Sequence, residues 1–73
     1  MKKAIARELK AIRLRKDIKL GQAAEDNGVC YETMRQIEKG CRNISIEFLE
    51  QLLNYYDISV FIFFKNVCEY MHN

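Results

Sequence analysis

Glu32, Arg35, Gln36 and Lys39 fall at i, i+3, i+4 and i+7 in the segment YETMRQIEKG, residues 31–40. On a helix that spacing places a carboxylate, a guanidinium, an amide and an ammonium on one face. Cys30, Met34 and Ile37, at i, i+4 and i+7, make an apolar face on the other side. The polar four offer donors and acceptors but no nucleophile beside a base, so their chemistry is recognition rather than bond making. The rest of the chain adds no catalytic set. Its one histidine, His72, is next to the last residue, and no glycine-rich phosphate loop or cluster of metal ligands is present. No enzyme, metal, cofactor or small-molecule substrate is expected.

A face of this kind works only if other elements hold it clear of the body. The spacing predicts a helix over about 30–39, stopped by Gly40 after Lys39. A shorter helix over about 19–27 precedes it, with Ala23 and Ala24 small enough to let a neighbouring helix approach. Gly28 after Asn27 suits a left-handed turn, where a Cβ would clash. Two short helices joined by such a turn form a helix-turn-helix. The first braces the second, whose outward side chains are then free to enter a major groove.

Three further helices complete the reading. Residues 3–16 align Ile5, Leu9, Ile12 and Lys16 on one amphipathic line that stops near Asp17. Ser45 caps a helix with Glu47 in its first turn and Ile44 as a staple before it, and Ile46, Leu49, Leu52, Leu53 and Tyr56 recur at helical spacing. The tail has two readings. VFIFF, Val60 to Phe64, has strand propensity; capped by Ser59, a helix instead carries Val60, Phe63, Phe64, Val67, Cys68 and Met71 as one stripe. The helix is preferred, giving an all-α, five-helix domain over 1–73. Phe61 and Ile62 lie off the stripe, either as a subunit interface or as part of a wider core face.

Length and charge narrow the function further. A 73-residue chain buries only about 60% of its unfolded surface, and such a core supplies roughly 3–5 kcal/mol. That leaves little room for a deep pocket and leaves a role for a second copy. The net charge is +2, but it is unevenly spread: residues 1–19 carry +6, 20–42 carry −1 and 43–73 carry −3. The basic end suits an anion-facing side, or is an ordinary solvated helix face. Cys30, Cys41 and Cys68, at spacings of 11 and 27, fit neither a zinc site nor a disulfide framework, and buried free thiols are expected. The longest apolar run is far below the ~20 residues that span a bilayer, and the basic start has no hydrophobic stretch of a secretory signal. No membrane association and a cytoplasmic location are expected.

Leu9 to Ser59 resembles the Cro and phage-repressor type of helix-turn-helix domain, the Xre family, over about 50 residues without a gap. The resemblance is carried by Leu9-Lys10-Ala11-Ile12-Arg13, Ala24, Gly28-Val29, and then Met34, Ile37, Glu38 and Gly40. It continues through Arg42-Asn43-Ile44-Ser45, Leu49, Leu52, Tyr56, Ile58 and Ser59. It implies a homodimeric regulator, most often a repressor, on pseudo-palindromic double-stranded DNA. Carried over by position, Tyr31, Glu32, Thr33 and Gln36 would read bases. Gln36 suits adenine, and Glu32 suits cytosine's amino group or caps the helix. Arg35, Lys39, Arg42 and Asn43 would hold phosphates. Arg13 and Glu38 would form a salt bridge between helices, the local alternative being Glu38 with Arg42 or Arg35. Lys19 and Leu20 stand where the family has Thr or Ser and then Gln, Asn27 where it is apolar, and Ile44 where proline is usual. A protein-interaction module, such as an antitoxin or antirepressor holding a protein partner through the apolar tail, is the competing reading.

Overall fold

The structure, a computed structural model, describes residues 2–72. It contains α1 (Lys2–Arg15), α2 (Leu20–Asp26), α3 (Tyr31–Glu38), α4 (Ile46–Tyr56) and α5 (Val60–Met71), with no strand among the described residues. The tail is therefore helical. The Ser59 side chain accepts a hydrogen bond from the Ile62 backbone N–H at 3.1 Å, closing the first turn as a cap should. Ser45 does the same for α4, accepting from the Phe48 N–H at 3.1 Å.

Four helix ends are stopped by one device. Asp17, Gly28, Gly40 and Asp57 take φ near +58°, +73°, +75° and +57°. After α2, the Gly28 N–H donates to the Glu25 carbonyl at 3.2 Å and the Val29 N–H to the Ala24 carbonyl at 3.0 Å. That pair satisfies carbonyls the helix leaves open and turns the chain sharply. Asp17 and Asp57 serve where glycine would be expected, because a short polar side chain tolerates the left-handed region.

The two glycines differ in their surroundings. A Cβ on Gly28 would meet nothing within 4 Å, whereas one on Gly40 would lie 3.0 Å from Lys3 Cγ and 3.3 Å from Lys3 Cα. Gly28→Ala is therefore expected to cost about 1–2 kcal/mol of backbone strain alone. Gly40→Ala should cost more, because the start of α1 must also move. Urea denaturation followed by circular dichroism compares the two; equal losses would mean that Lys3 gives way freely.

The core gathers Leu9 and Ile12 of α1, Ala23 and Ala24 of α2, Met34 and Ile37 of α3, four residues of α4, and Phe63 and Val67 of α5. α3 packs on α2 and α1, and α5 packs on α1. Polar clusters also lie within this frame. Glu8, 1% exposed, accepts from Asn66 Nδ2 at 2.9 Å, Tyr70 Oη at 3.0 Å and Arg15 Nη2 at 3.2 Å, fastening α5 to α1. Asn27 is buried too. Its Nδ2 donates to the Ala23 carbonyl at 2.8 Å, while Gln51 Nε2 donates to its carbonyl and side-chain oxygens at 3.1 and 3.2 Å. A polar residue thus closes the bracing helix at a place expected to be apolar, and it is tolerated because its hydrogen bonds are satisfied.

Several core expectations need correction. All three cysteines are exposed. Cys30 sits at the N-cap of α3 rather than inside it, Cys41 lies in the loop beyond Gly40, and Cys68 is on the outer side of α5. Ile46 is 69% exposed because it opens α4 before the helix reaches the core. The stripe on α5 is wider than the surface covering it: Phe63 and Val67 are buried and Phe64 is half-buried, while Val60, Cys68 and Met71 remain exposed.

Candidate nucleic-acid interface

α3 stands on α2 through Ala23 and Ala24, which are 0% and 2% exposed. Met34 and Ile37 point into the core, so the opposite side of this eight-residue helix faces solvent. Tyr31, Glu32 and Lys39 are exposed, and Thr33, Arg35 and Gln36 are partly so. Among the described residues, nothing covers the face that the spacing set apart.

Its side chains are tied to one another. Glu32 Oε1 accepts from Arg35 Nε at 2.8 Å, and Glu32 Oε2 accepts from Arg35 Nη2 at 2.6 Å and from Gln36 Nε2 at 3.1 Å. Arg42 Nη1 reaches Gln36 Oε1 at 3.5 Å from the loop after α3. The Arg35 hydrogen bonds, helped by Gln36 and the nearby Lys39 charge, hold the Glu32 carboxyl below its usual range. The pairing with Glu32 raises Arg35 in turn. With three N–H groups on its two oxygens, Glu32 has most of its accepting capacity already used.

Behind this face Arg13 and Glu38 meet. Arg13 Nε donates to Glu38 Oε2 at 2.9 Å and Arg13 Nη2 to Glu38 Oε1 at 3.1 Å, with side chains 8% and 5% exposed. Arg13 Nη1 also donates to the Ile18 carbonyl at 2.7 Å, so one guanidinium binds α1, the α1–α2 loop and α3 together. The local alternative for Glu38, a pair with Arg35 or Arg42, is not formed, since Arg35 turns to Glu32 instead. Tyr56 lies near this pair, and burial together with the Glu38 charge pushes its hydroxyl pKa well up.

Beside the face is a hollow of about 140 Å³ lined by Lys10, Arg13, Leu20, Arg35, Glu38 and Lys39. Lys10 was not singled out from the sequence as a contact residue. Its place on α1 becomes meaningful only when the fold brings it beside Lys39. The basic α1 was the available signal. A second hollow, about 240 Å³, is lined by Lys2, Ile5, Ala6, Ile37, Arg42, Asn43 and Ile44, placing the loop residues Arg42 and Asn43 next to the start of α1.

Cys30, at the N-cap, shares a hydrogen bond with the Thr33 hydroxyl at 3.1 Å. That contact and the backbone N–H groups of Thr33 and Glu32 lower the thiol pKa. Alkylation of Cys30 against pH is therefore expected to reach half its maximal rate below the ordinary thiol range. Thr33→Val should move the midpoint up; an unchanged midpoint would remove Thr33 from the account.

The tail residues part company. Phe61 is 72% exposed and Ile62 45%, but neighbours on a helix diverge by about 100°. By that geometry Phe61 stands with Phe64 and Cys68, and Ile62 with Glu69. A groove of about 180 Å³ lined by Ile46, Leu49, Glu50, Leu53, Val60 and Phe64 adjoins the Phe61 side.

No group of three or more potential metal-ligating residues occurs among the described residues, and no helix there is long and apolar enough to cross a membrane. No protein-family model and no curated protein sequence matches the chain. The fold is similar to a crystal structure of the clp gene regulator ClgR from Corynebacterium glutamicum. The TM-score is 0.92 and the identity 22%, with 97% of this chain and 76% of that chain covered. A second crystal structure of the same regulator gives a TM-score of 0.87 at 22% identity, covering 93% and 87%. The likeness spans all five helices and shows the fold.

Proposed function

We propose that the chain is a sequence-specific regulator of transcription, of the Cro and phage-repressor type, that binds double-stranded DNA through the major groove. One observation carries this reading. The outer side of α3 holds Tyr31, Glu32, Thr33, Gln36 and Lys39 clear of the body, with the cations Lys10 and Arg42 beside it. The dimensions of a single helix suit the ~12 Å major groove. The fold shared with a gene regulator supports the same reading. Tyr31, Thr33 and Gln36 would meet base edges, and Lys39, Arg42 and Asn43, with Lys10, would meet phosphates. Repression follows when the bound protein occludes a promoter.

The regulator acts as a homodimer, placing two α3 helices about one DNA turn (~34 Å) apart on a pseudo-palindrome. The exposed Phe61 and the groove beside it support the tail as the contact between copies. Ile62 lies around the helix at the edge of that contact. Sedimentation of the wild type is expected to show dimers that Phe61→Glu dissociates. A wild type that stays monomeric at high concentration would remove the dimer. The same apolar surface also favours a second reading, an antitoxin-like or antirepressor-like module holding another protein. Selection from a random duplex pool separates the two. Enrichment of a two-fold symmetric motif supports the regulator, and no enrichment at low salt supports the protein-binding module.

A further inference from the structure

Arg35 presents a combination that a simple phosphate contact does not need. Its guanidinium is held fork to fork by Glu32 through Nε and Nη2, at 2.8 and 2.6 Å. A carboxylate so close cancels the charge that would attract a phosphate, and it adds repulsion of its own. The same carboxylate fixes the guanidinium plane, which is what directional hydrogen bonding requires.

An arginine carries five N–H donors in a rigid plane. Two of them, one on Nε and one on Nη2, are spent on Glu32. The remaining three include the parallel pair at the far end of the plane, one on Nη1 and one on Nη2. That end-on pair matches the O6 and N7 acceptors of guanine in the major groove. Helix side chains lean toward the N-terminus, so the Arg35 head is carried over the first turn of α3. The first turn is the part that goes deepest into a groove. Lys39, one turn farther on, and Lys10 on α1 flank the same hollow and are left for the phosphates.

Resting on the DNA-binding reading above, we propose that Arg35 reads a guanine in each half-site, and that Glu32 is a positioning residue that braces Arg35 rather than a reader of cytosine. Gln36 belongs to the same unit. Its Nε2 is turned to Glu32 and its Oε1 to Arg42, which fixes the amide with one N–H and an oxygen lone pair to offer an adjacent adenine.

The experiment uses the full chain and a duplex selected by it from a random pool, with affinities measured for each base at every position. The wild type is expected to prefer guanine at one position per half-site by roughly five- to hundredfold. Replacing that base with 7-deazaguanine, which lacks the N7 acceptor, should cost the wild type affinity and cost Arg35→Ala none. R35A and R35K should both lose the preference at that position alone, although R35K keeps the charge. E32Q should weaken the same preference while raising affinity for unrelated duplexes, because a negative charge is gone; a merely structural role would move neither in that pattern. A uniform loss for R35A on every sequence, or a selected motif without guanine, overturns the assignment and leaves DNA binding intact. Guanine preference unchanged in E32Q overturns the bracing role. A wild type that enriches no motif sinks both this inference and the regulator reading.

Discussion

Glu38→Ala is expected to cost roughly 3–5 kcal/mol, about as much as a core of this size supplies, leaving a large part of the chain unfolded at 25 °C. The cause is the Arg13 guanidinium. With Glu38 gone it keeps only the Ile18 carbonyl at 2.7 Å, while its side chain stays 8% exposed. A buried charge without its partner is the costly state, not the absence of an ion pair as such. The double variant Arg13→Met/Glu38→Leu should therefore recover much of the loss, because apolar side chains of similar volume carry no desolvation cost. Urea denaturation of the three proteins measures both effects. A loss below about 1 kcal/mol for E38A, in the range of exposed pairs, would mean that the pair does not hold α3 to α1.

Removing Lys10, Lys39 and Arg42 together should have the largest effect on binding. Each phosphate contact releases counterions, and the slope of log affinity against log salt changes by about 0.9 per contact on duplex DNA. The triple alanine variant should flatten that slope by about 2.7 for each protomer bound, roughly 5.4 for the dimer, and weaken binding to cognate and unrelated duplexes both. Gln36→Ala should do the opposite, lowering cognate affinity while sparing unrelated sequence. Fluorescence anisotropy across a salt series separates the two patterns. A slope unchanged in the triple variant would place the phosphates elsewhere on the surface.

What the sequence disclosed, and what it withheld, follows the range of the forces involved. Ser45, Ser59, Gly28 and Gly40 act on backbone within a few residues, and the helix boundaries they set were legible. The two faces of α3 were legible too, because 3.6-residue periodicity is a local property. Glu8 was not, although it carried a signal: Ile5, Glu8, Leu9 and Ile12 fall at i, i+3, i+4 and i+7, so the carboxylate lies on the apolar line itself. Its partners Asn66 and Tyr70 are 58 and 62 residues away, and only the packing of α5 brings them together. Lys10 was hidden for the same reason. The cysteines were misplaced because free cysteine is usually buried, whereas all three here fall at a cap, in a loop or on an outer helix face. Arg35 was legible as a cation but not as a braced one, since an i, i+3 pair becomes a fork only when both rotamers are known.

The most direct test is an NMR titration of isotope-labelled chain with duplex DNA at low salt. Shifts are expected to concentrate at Tyr31, Glu32, Arg35, Gln36 and Lys39, with Lys10 and the 41–43 loop, and to leave Phe61 and its groove unchanged. Shifts confined to α5, or none at all while α3 stays in solvent, would contradict it.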